Sequence, residues 1–205
     1  PKPSAEEIAG PRRSWPQLLK QPRLVIAMAS AMIAYALMNL MMTAAPVAMI
    51  GCGFKATDAS WVIQWHVLAM FVPSFFTGIL IKRFGVMQIT AAGMILLIGA
   101  GIVGLAGIQF GEFALALILL GLGWNFGFIG GTTMLTECYA PSERGKVQAA
   151  NDFGISLLMV IASAGSGQLL DHWGWSSVSA IVIPISAIML TALLAFVFAR
   201  KLKAV

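Results

Sequence analysis

The chain has 205 residues, of which 59% are hydrophobic and 10% charged, and its formal net charge is +5. A soluble domain of this size usually carries about 25% charged residues, so this composition excludes a water-soluble globular domain. Disorder requires low hydrophobicity, and a disulfide scaffold requires more than the two cysteines present. The remaining class is that of integral membrane proteins.

The charged residues are spaced so that six long uncharged runs separate them. A helix needs about 20 mostly apolar residues to cross a bilayer, and each run meets or approaches that length. A transmembrane barrel needs shorter strands with strict alternation, which these runs lack. The sequence therefore predicts an all-α integral membrane fold, with a cytoplasmic tail over residues 1–22 and six transmembrane helices over residues 23–205. The uncharged runs are Leu24–Phe54, Ala59–Ile81, Phe84–Gly111, Phe113–Thr136, Phe153–Leu170 and His172–Ala199.

Lys and Arg residues are divided unequally between the two sides of the predicted membrane. With six helices both chain ends lie on one side, and that side carries every basic residue except Lys55. Basic residues accumulate in cytoplasmic loops, so we predict that both termini are cytoplasmic and that the membrane is the cytoplasmic one. The positive net charge is thereby explained by topology, and no nucleic-acid partner is predicted.

Glycines recur at helical spacing in two of the runs. The G-x-G-x-x-G pattern over Gly99–Gly104 binds dinucleotide phosphates only between a strand and a helix. Here it lies inside an uncharged run, so it predicts a helix face that another helix can approach closely. The row Gly123, Gly127 and Gly131 predicts the same. The sequence contains no residue pattern typical of catalysis or metal ligation, so no enzyme activity, cofactor or metal site is predicted.

An eight-residue pattern occurs twice in the chain. Gly78–Gly85 and Gly167–Gly174 share the form G-x-x-x-charge-x-x-G at a separation of 89 positions. Each follows the second helix of a triplet, and because three is an odd number the two triplets face opposite sides of the membrane. The pattern predicts an inverted three-plus-three repeat, the construction of secondary transporters.

These residues resemble the major facilitator superfamily of secondary transporters. Gly78–Gly85 is similar to the family's G-x-x-x-D-[RK]-x-G loop, Gly167–Trp175 to its G-x-x-x-D-x-x-G-W turn, and Pro141–Lys146 to its P-x-E-R-G loop. Members have twelve helices in two halves, so the resemblance implies a carboxy-terminal half, with residues 1–22 resembling the end of the central loop. Lys82 stands where the family's loop has Asp, as is common in second halves, and this weakens a gating role there.

Polar residues inside the predicted bilayer indicate a candidate substrate path, because such groups are costly in lipid. They lie on the first, second, fourth and fifth helices, which line the central path in the family that the chain resembles. Asn39 and Asn125 lie near mid-membrane, where an amide suits a polar neutral or anionic solute, and a helix-bridging role for both stays open. The path candidates are Asn39, Thr43, Gln64, His66, Trp124, Asn125 and Asp152.

The aromatic and ionisable candidates each have two interpretations. Trp124 is expected to form a flat apolar wall or to pack against lipid or a helix. His66, near the outer surface, is expected either to transfer protons or to bridge helices. Asp152 is expected at the cytoplasmic mouth, as a gate or a capping residue. Tryptophans near the outer boundary are expected in an aromatic belt, namely Trp61, Trp65, Trp173 and Trp175.

Charged residues at the predicted cytoplasmic ends are candidates for an inner gate. In the family that the chain resembles, a basic loop residue and an acid at the end of the fourth helix belong to a closing charge cluster. The resemblance implies a pair between Arg83 and Glu137, with Arg144 as a third candidate. Independent solvated charges are the alternative.

Two functions from different classes fit these patterns. The first is a secondary transporter that moves a small solute by alternating access, in contact with membrane lipid. It would work with an amino-terminal six-helix half, in the same or a separate chain, or with a second copy of itself. The second is a non-transporting scaffold or receptor that retains the fold. Polar groups at mid-membrane favour transport, because a scaffold has no need of them.

Overall fold

A computed structural model of the chain describes residues 10–202, and within that range it contains helices and no strand. The predicted all-α fold is confirmed. A 3-10 turn, Pro141–Glu143, precedes the last helix. The helices are α1 (Trp15–Leu19), α2 (Pro22–Gly51), α3 (Ala56–Phe71), α4 (Ser74–Phe84), α5 (Val86–Ala106), α6 (Phe110–Thr136) and α7 (Arg144–Leu202).

Four stretches of the described chain are long and apolar enough to cross a membrane: α2, α5, α6 and residues 141–199, which include most of α7. The pair α3 and α4 passes the same test together, as one span bent by 42°. At about 1.5 Å per residue, the 59 residues of α7 exceed twice the thickness of a bilayer core of about 30 Å. A count of six spans requires α7 to be two of them, and it stays a prediction.

The bend between α3 and α4 follows from proline chemistry. Pro73 has no N–H to donate within the helix, and its ring crowds the preceding turn, so the helix kinks there. The chain resumes as α4 at Ser74, and Phe76 and Thr77 donate their backbone N–H groups to the Pro73 carbonyl. The bend leaves carbonyl groups that other helices can use, and one of them contributes to the site described below.

The repeated eight-residue pattern has the same backbone feature in both copies. Its last glycine adopts a positive φ, 96° at Gly85 and 73° at Gly174. Gly85 separates α4 from α5, and Gly174 interrupts α7. A positive φ at these positions favours glycine, because a Cβ would crowd the residue's own peptide groups in this conformation. The two patterns therefore break the helical path at corresponding places, as the sequence predicts.

Close helix packing organises the interior. The largest contacts join α5 with α6 and α2 with α7, and α2 and α6 pack directly on each other. A Cβ placed on Gly131 of α6 would lie 2.8 Å from the Ala31 backbone nitrogen and 3.0 Å from the Ala27 carbonyl oxygen of α2. Gly101 of the G-x-G-x-x-G pattern lies inside α5 against Ile183 of α7. The predicted packing role of the glycine rows is confirmed.

The part of the tail that the structure describes contacts the helical domain. Leu18 of α1 is fully buried in the core, and α2 begins at Pro22. Residues 1–9 of the predicted tail lie outside the described residues.

Candidate functional site

Asn125 lies at the bend between α3 and α4. It is fully buried in α6, and its Nδ2 donates to the Met70 carbonyl at 2.6 Å and to the Ser74 hydroxyl at 2.7 Å. Its Oδ1 accepts from the Thr77 hydroxyl at 2.7 Å. All three hydrogen bonds go to residues at the proline bend, and one of them satisfies the Met70 backbone carbonyl, which needs a partner away from water. The geometry in this structure is that of a helix-bridging amide.

Asn39 bridges a different pair of helices. It is half-buried on α2, and its Nδ2 donates to the Met159 carbonyl of α7 at 3.1 Å. Thr43, one turn further along the same face, is exposed. This is the hydrogen bond that the Asn39 side chain makes among the described residues. The Asn39 amide therefore has more unused hydrogen-bonding capacity than the amide of Asn125, which makes three hydrogen bonds.

Four aromatic rings from three helices form what we call the aromatic cluster: Tyr35, Phe71, Trp124 and Phe128. Trp124 and Phe128 of α6 are stacked, with centroids 5.1 Å apart and planes 9° apart. Tyr35 of α2 lies edge-on to both rings, at 5.5 and 5.3 Å, and Phe71 of α3 lies edge-on to Trp124 at 6.1 Å. The Trp124 Nε1 is buried and has no partner in the described part of the chain. Tyr35 is one turn from Asn39, so the cluster lies beside the predicted path.

The two path candidates on α3 occupy different surroundings. Gln64 is exposed, whereas His66 is fully buried. The His66 Nδ1 lies 2.7 Å from the Leu117 carbonyl of α6, so that nitrogen carries the proton and donates it. His66 thereby bridges α3 and α6, which is one of its two predicted roles.

Asp152 is exposed on α7, and its Oδ1 accepts from Asn151 Nδ2 at 3.4 Å. Asp152 shares its helix face with Ser156 and Ser163, both also exposed. The structure thus places Asp152 on an exposed face of α7, apart from the groups at the α3–α4 bend.

The gating candidates do not contact one another in this structure. Glu137 pairs with Arg23 at the start of α2, and the predicted contact between Glu137 and Arg83 is absent from the described residues. The Arg83 guanidinium lies 5.2 Å from the centroid of its neighbour Phe84, and Arg144 bonds Gln148 at 3.5 Å. Arg23 reaches Glu137 because α2 and α6 are packed together. The family resemblance does not indicate this ion pair.

An ion pair between a buried carboxylate and a partly exposed arginine near the same end was missed by sequence reasoning. Glu143 of the P-x-E-R-G loop is 1% exposed, and Arg13 donates to it from Nε at 2.8 Å and from a terminal nitrogen at 2.5 Å. The backbone N–H groups of Arg13 and Ala140 donate to the same carboxylate. Hydrogen bonding to Arg13 is the main cause that lowers the pKa of Glu143 to about 2. The P-x-E-R-G motif was the sequence feature that could have indicated a role for Glu143. Its partner Arg13 could not be identified in this way, because it lies 130 residues earlier in the chain.

Lys146 extends this set of contacts. Its Nζ donates to the Arg13 carbonyl at 2.9 Å and lies 4.8 Å from the centroid of the Trp15 ring. The tail before α2 is therefore bound to the loop before α7, through charge-assisted hydrogen bonds and a cation–π contact.

A cleft of about 570 Å³ opens between the second half of α2 and the region of α7 around Gly174. It contains Thr43, which belongs to the predicted path, and Trp175, which was expected in an aromatic belt. Trp175 is only 5% exposed, so the belt prediction is wrong for this residue, because its ring packs on Phe113 with centroids 4.9 Å apart. Its three companions are more than half exposed: Trp61, Trp65 and Trp173.

The helical architecture and the paired glycine turns define a half-domain of a membrane carrier fold. A sequence profile described as the Major Facilitator Superfamily matches residues 3–204, and the chain belongs to this family. It is therefore an integral membrane protein in a lipid environment.

Three named relatives resemble the chain. It is 49% identical over 178 residues to the riboflavin transporter RfnT of Brucella anthropi, across 87% of this chain and 45% of that protein. It is 34% identical to the uncharacterised MFS-type transporters YddS and YdeG of Bacillus subtilis. Those matches cover 79% and 70% of this chain, and 36% and 34% of the respective relatives. The chain thus spans less than half the length of these relatives, and no solved structure matches it significantly.

Proposed function

We propose that the chain is the carboxy-terminal half of a secondary transporter that carries riboflavin across the cytoplasmic membrane. Riboflavin is a neutral solute with a flat heteroaromatic ring and a hydroxylated chain. The proposal is supported by the 49% identity to a protein named as a riboflavin transporter. The structural observation that carries it is the aromatic cluster, whose Tyr35 lies one helical turn from Asn39 on α2.

The aromatic cluster has the chemistry that a flat ring requires. Aromatic rings interact through stacked and edge-on arrangements, and both are present around Trp124. The buried Trp124 Nε1 has no acceptor within the described residues, so a solute that displaces part of the surrounding packing would find an N–H free to donate to a carbonyl or ring nitrogen. Phe71 is 56% exposed and gives the cluster an open side.

An amino-terminal six-helix half is the partner we propose, in the same or a separate chain, with a second copy of this chain as the alternative. The support comes from the exposed face of α7, where Asp152, Ser156 and Ser163 lie among apolar residues. Charged and polar side chains facing lipid are costly, so this face needs a cover that lipid does not supply. Across that interface, Asn39 and Asp152 would line the transport path.

The inner gate in this proposal consists of Arg83 and Arg144, which are both exposed, with Glu137 paired to Arg23. An exposed ion pair contributes about 0–1 kcal/mol, so these residues would bias the gate and not determine its stability. Asn125 and His66 act in this proposal as bridges that position α3 and α4 against α6.

Uptake of labelled riboflavin tests the proposed function. The complete carrier, meaning this half together with its amino-terminal half, is expressed in cells that lack riboflavin uptake. We expect accumulation, and we expect Trp124→Ala to lower uptake at low riboflavin concentration by about tenfold, because a stacking surface and a donor are lost. The matched control is Trp173→Ala, since Trp173 is 70% exposed.

Normal membrane expression of each variant is checked on the same cells. An absence of riboflavin uptake by the wild-type carrier overturns the proposed substrate. Binding of riboflavin without accumulation would favour the scaffold or receptor over the transporter.

A further inference from the structure

The cleft between α2 and α7 begins one helical turn beyond the contact that joins these helices. Asn39 donates to the Met159 carbonyl, and the residues four positions further along, Thr43 and Ser163, already line the cleft. The helices therefore meet at Asn39 and diverge beyond it, towards the end of α2 at Gly51. The opening is a separate space from the aromatic cluster, which includes Tyr35 on the other side of Asn39.

Two buried polar groups line this cleft without a protein partner. Ser166 is 0% exposed and Trp175 is 5% exposed. The Ser166 Oγ and the Trp175 Nε1 both lack a hydrogen-bond partner within residues 10–202. A buried polar group without a partner is costly, and most such groups in proteins are satisfied. Both atoms have almost no accessible surface in this structure, so a ligand in the cleft would supply the missing partners after a small shift of the side chains that cover them.

The remaining lining sets the chemistry of that ligand. Asp171 is the one charged side chain among the lining residues, and Thr43 and Ser163 add hydroxyl groups. A carboxylate accepts, an indole N–H donates, and a hydroxyl does both. A solute that carries several hydroxyl groups satisfies all three types at once. A Cβ built on Gly167 or Gly174 meets no atom within 4 Å, so the glycines leave the space open.

We propose that this cleft is a second binding site, which receives a neutral polyhydroxylated chain before the solute reaches the aromatic cluster. The identity of the solute as riboflavin rests on the proposed function, whereas the site itself rests on Ser166, Trp175 and Asp171. The five-carbon polyol ribitol reproduces the hydroxylated chain of riboflavin without its ring, and it is the probe for the site.

Cys52 provides a reporter that the chain already contains. It is a free, exposed cysteine that lines the cleft, whereas Cys138, the second cysteine, is buried elsewhere. The rate at which a small maleimide alkylates Cys52 is measured on the purified complete carrier, with other accessible cysteines of the amino-terminal half replaced. Ribitol in the cleft is expected to slow this reaction in proportion to occupancy.

The variants Ser166→Ala and Trp175→Phe each remove one unpartnered group while keeping the shape of the side chain close to the original. The matched controls are Ser186→Ala, which removes an equally buried and unpartnered hydroxyl of α7 outside the cleft, and Trp173→Phe. We expect half-maximal protection of Cys52 to need about five- to tenfold more ribitol in the two cleft variants, as for a lost hydrogen bond, and to be unchanged in the controls. An unchanged alkylation rate without ligand shows that the cleft variants are folded.

Two results would overturn the site: no protection of wild-type Cys52 by ribitol or riboflavin, or equal protection in cleft and control variants. Riboflavin uptake, measured separately, distinguishes this failure from failure of the proposed function. If riboflavin is not carried but ribitol protection depends on Ser166, the site stands and the substrate assignment fails. If riboflavin is carried and protection ignores Ser166 and Trp175, the site alone fails.

Discussion

Single polar residues in this chain are used mainly to join helices. Asn125 satisfies three groups at the α3–α4 bend, Asn39 joins α2 to α7, and His66 joins α3 to α6. Sequence position indicated that these residues lie within apolar helices, and the structure has them there. It could not distinguish a solute contact from a helix bridge, because that depends on which way each side chain faces after packing.

Replacement of the two asparagines by leucine separates these roles. Interhelical hydrogen bonds in membranes average about 0.6 kcal/mol, so Asn125→Leu should lower the free energy of unfolding by about 2 kcal/mol and Asn39→Leu by about 0.6 kcal/mol. Unfolding of the complete carrier in mixed micelles with increasing SDS measures both. Equal losses for the two variants would contradict a bridging role for Asn125. Riboflavin uptake that falls in Asn39→Leu at normal expression supports Asn39 as a path residue.

The pair of Arg13 and Glu143 gives a defined pH dependence. The folded pKa of Glu143 is about 2, below its ordinary value of 4.5. Because the folded pKa is lowered, the pair stabilises the protein fully above about pH 4.5, and the contribution falls as the pH drops through the range towards 2. We expect the stability difference between wild type and Glu143→Gln to be constant from pH 7 to pH 5 and to shrink below pH 4.5.

Thermal unfolding of the purified carrier across this pH range measures that difference. Arg12→Gln is the control, since Arg12 is an exposed neighbour of Arg13 and its replacement should leave the profile unchanged. A stability difference that grows as the pH falls from 5 to 3 would contradict the assignment.

At the scale of helices, glycine determines how closely the elements approach. The rows in α5 and α6 bring backbones into contact, and the positive φ values of Gly85 and Gly174 break the helical path. Both features were predicted from spacing, because positions four apart share a helix face and the eight-residue pattern repeats. The bend at Pro73 was not predicted.

Alanine at two glycines of α6 should act with opposite signs. Gly131→Ala places a methyl group against the backbone of α2, so we expect a loss of about 1–3 kcal/mol of stability, as for overpacking. Gly111 has no atom within 4 Å of a built Cβ, so Gly111→Ala should be neutral or stabilising by up to about 1 kcal/mol. SDS titration of both variants measures the difference. A stable Gly131→Ala carrier would contradict the close packing of α2 on α6.

At the scale of the whole molecule, orientation in the membrane follows from the distribution of basic residues. Cys52 is itself exposed, so it is first replaced by serine. In that background, cysteine introduced at Lys55 should react with an impermeant maleimide in intact cells, and cysteine introduced at Arg144 should not. Arg144 is preferable to Lys146, because Lys146 contacts both Arg13 and Trp15. Permeabilised cells provide the control, in which both positions should react. Labelling of the Arg144 position alone in intact cells would reverse the proposed orientation.

The sequence by itself determined the membrane class, the all-α fold, the glycine packing faces and the resemblance to the family. These properties depend on local composition and on residues a few positions apart, which the bilayer and the helical repeat convert directly into structure. The tertiary structure decided which groups meet: Glu143 with Arg13, Glu137 with Arg23, and Asn125 with the Pro73 bend. It also opened the cleft that leaves Ser166 and Trp175 without partners. These contacts depend on the rotation and crossing of packed helices, which no single stretch of sequence specifies.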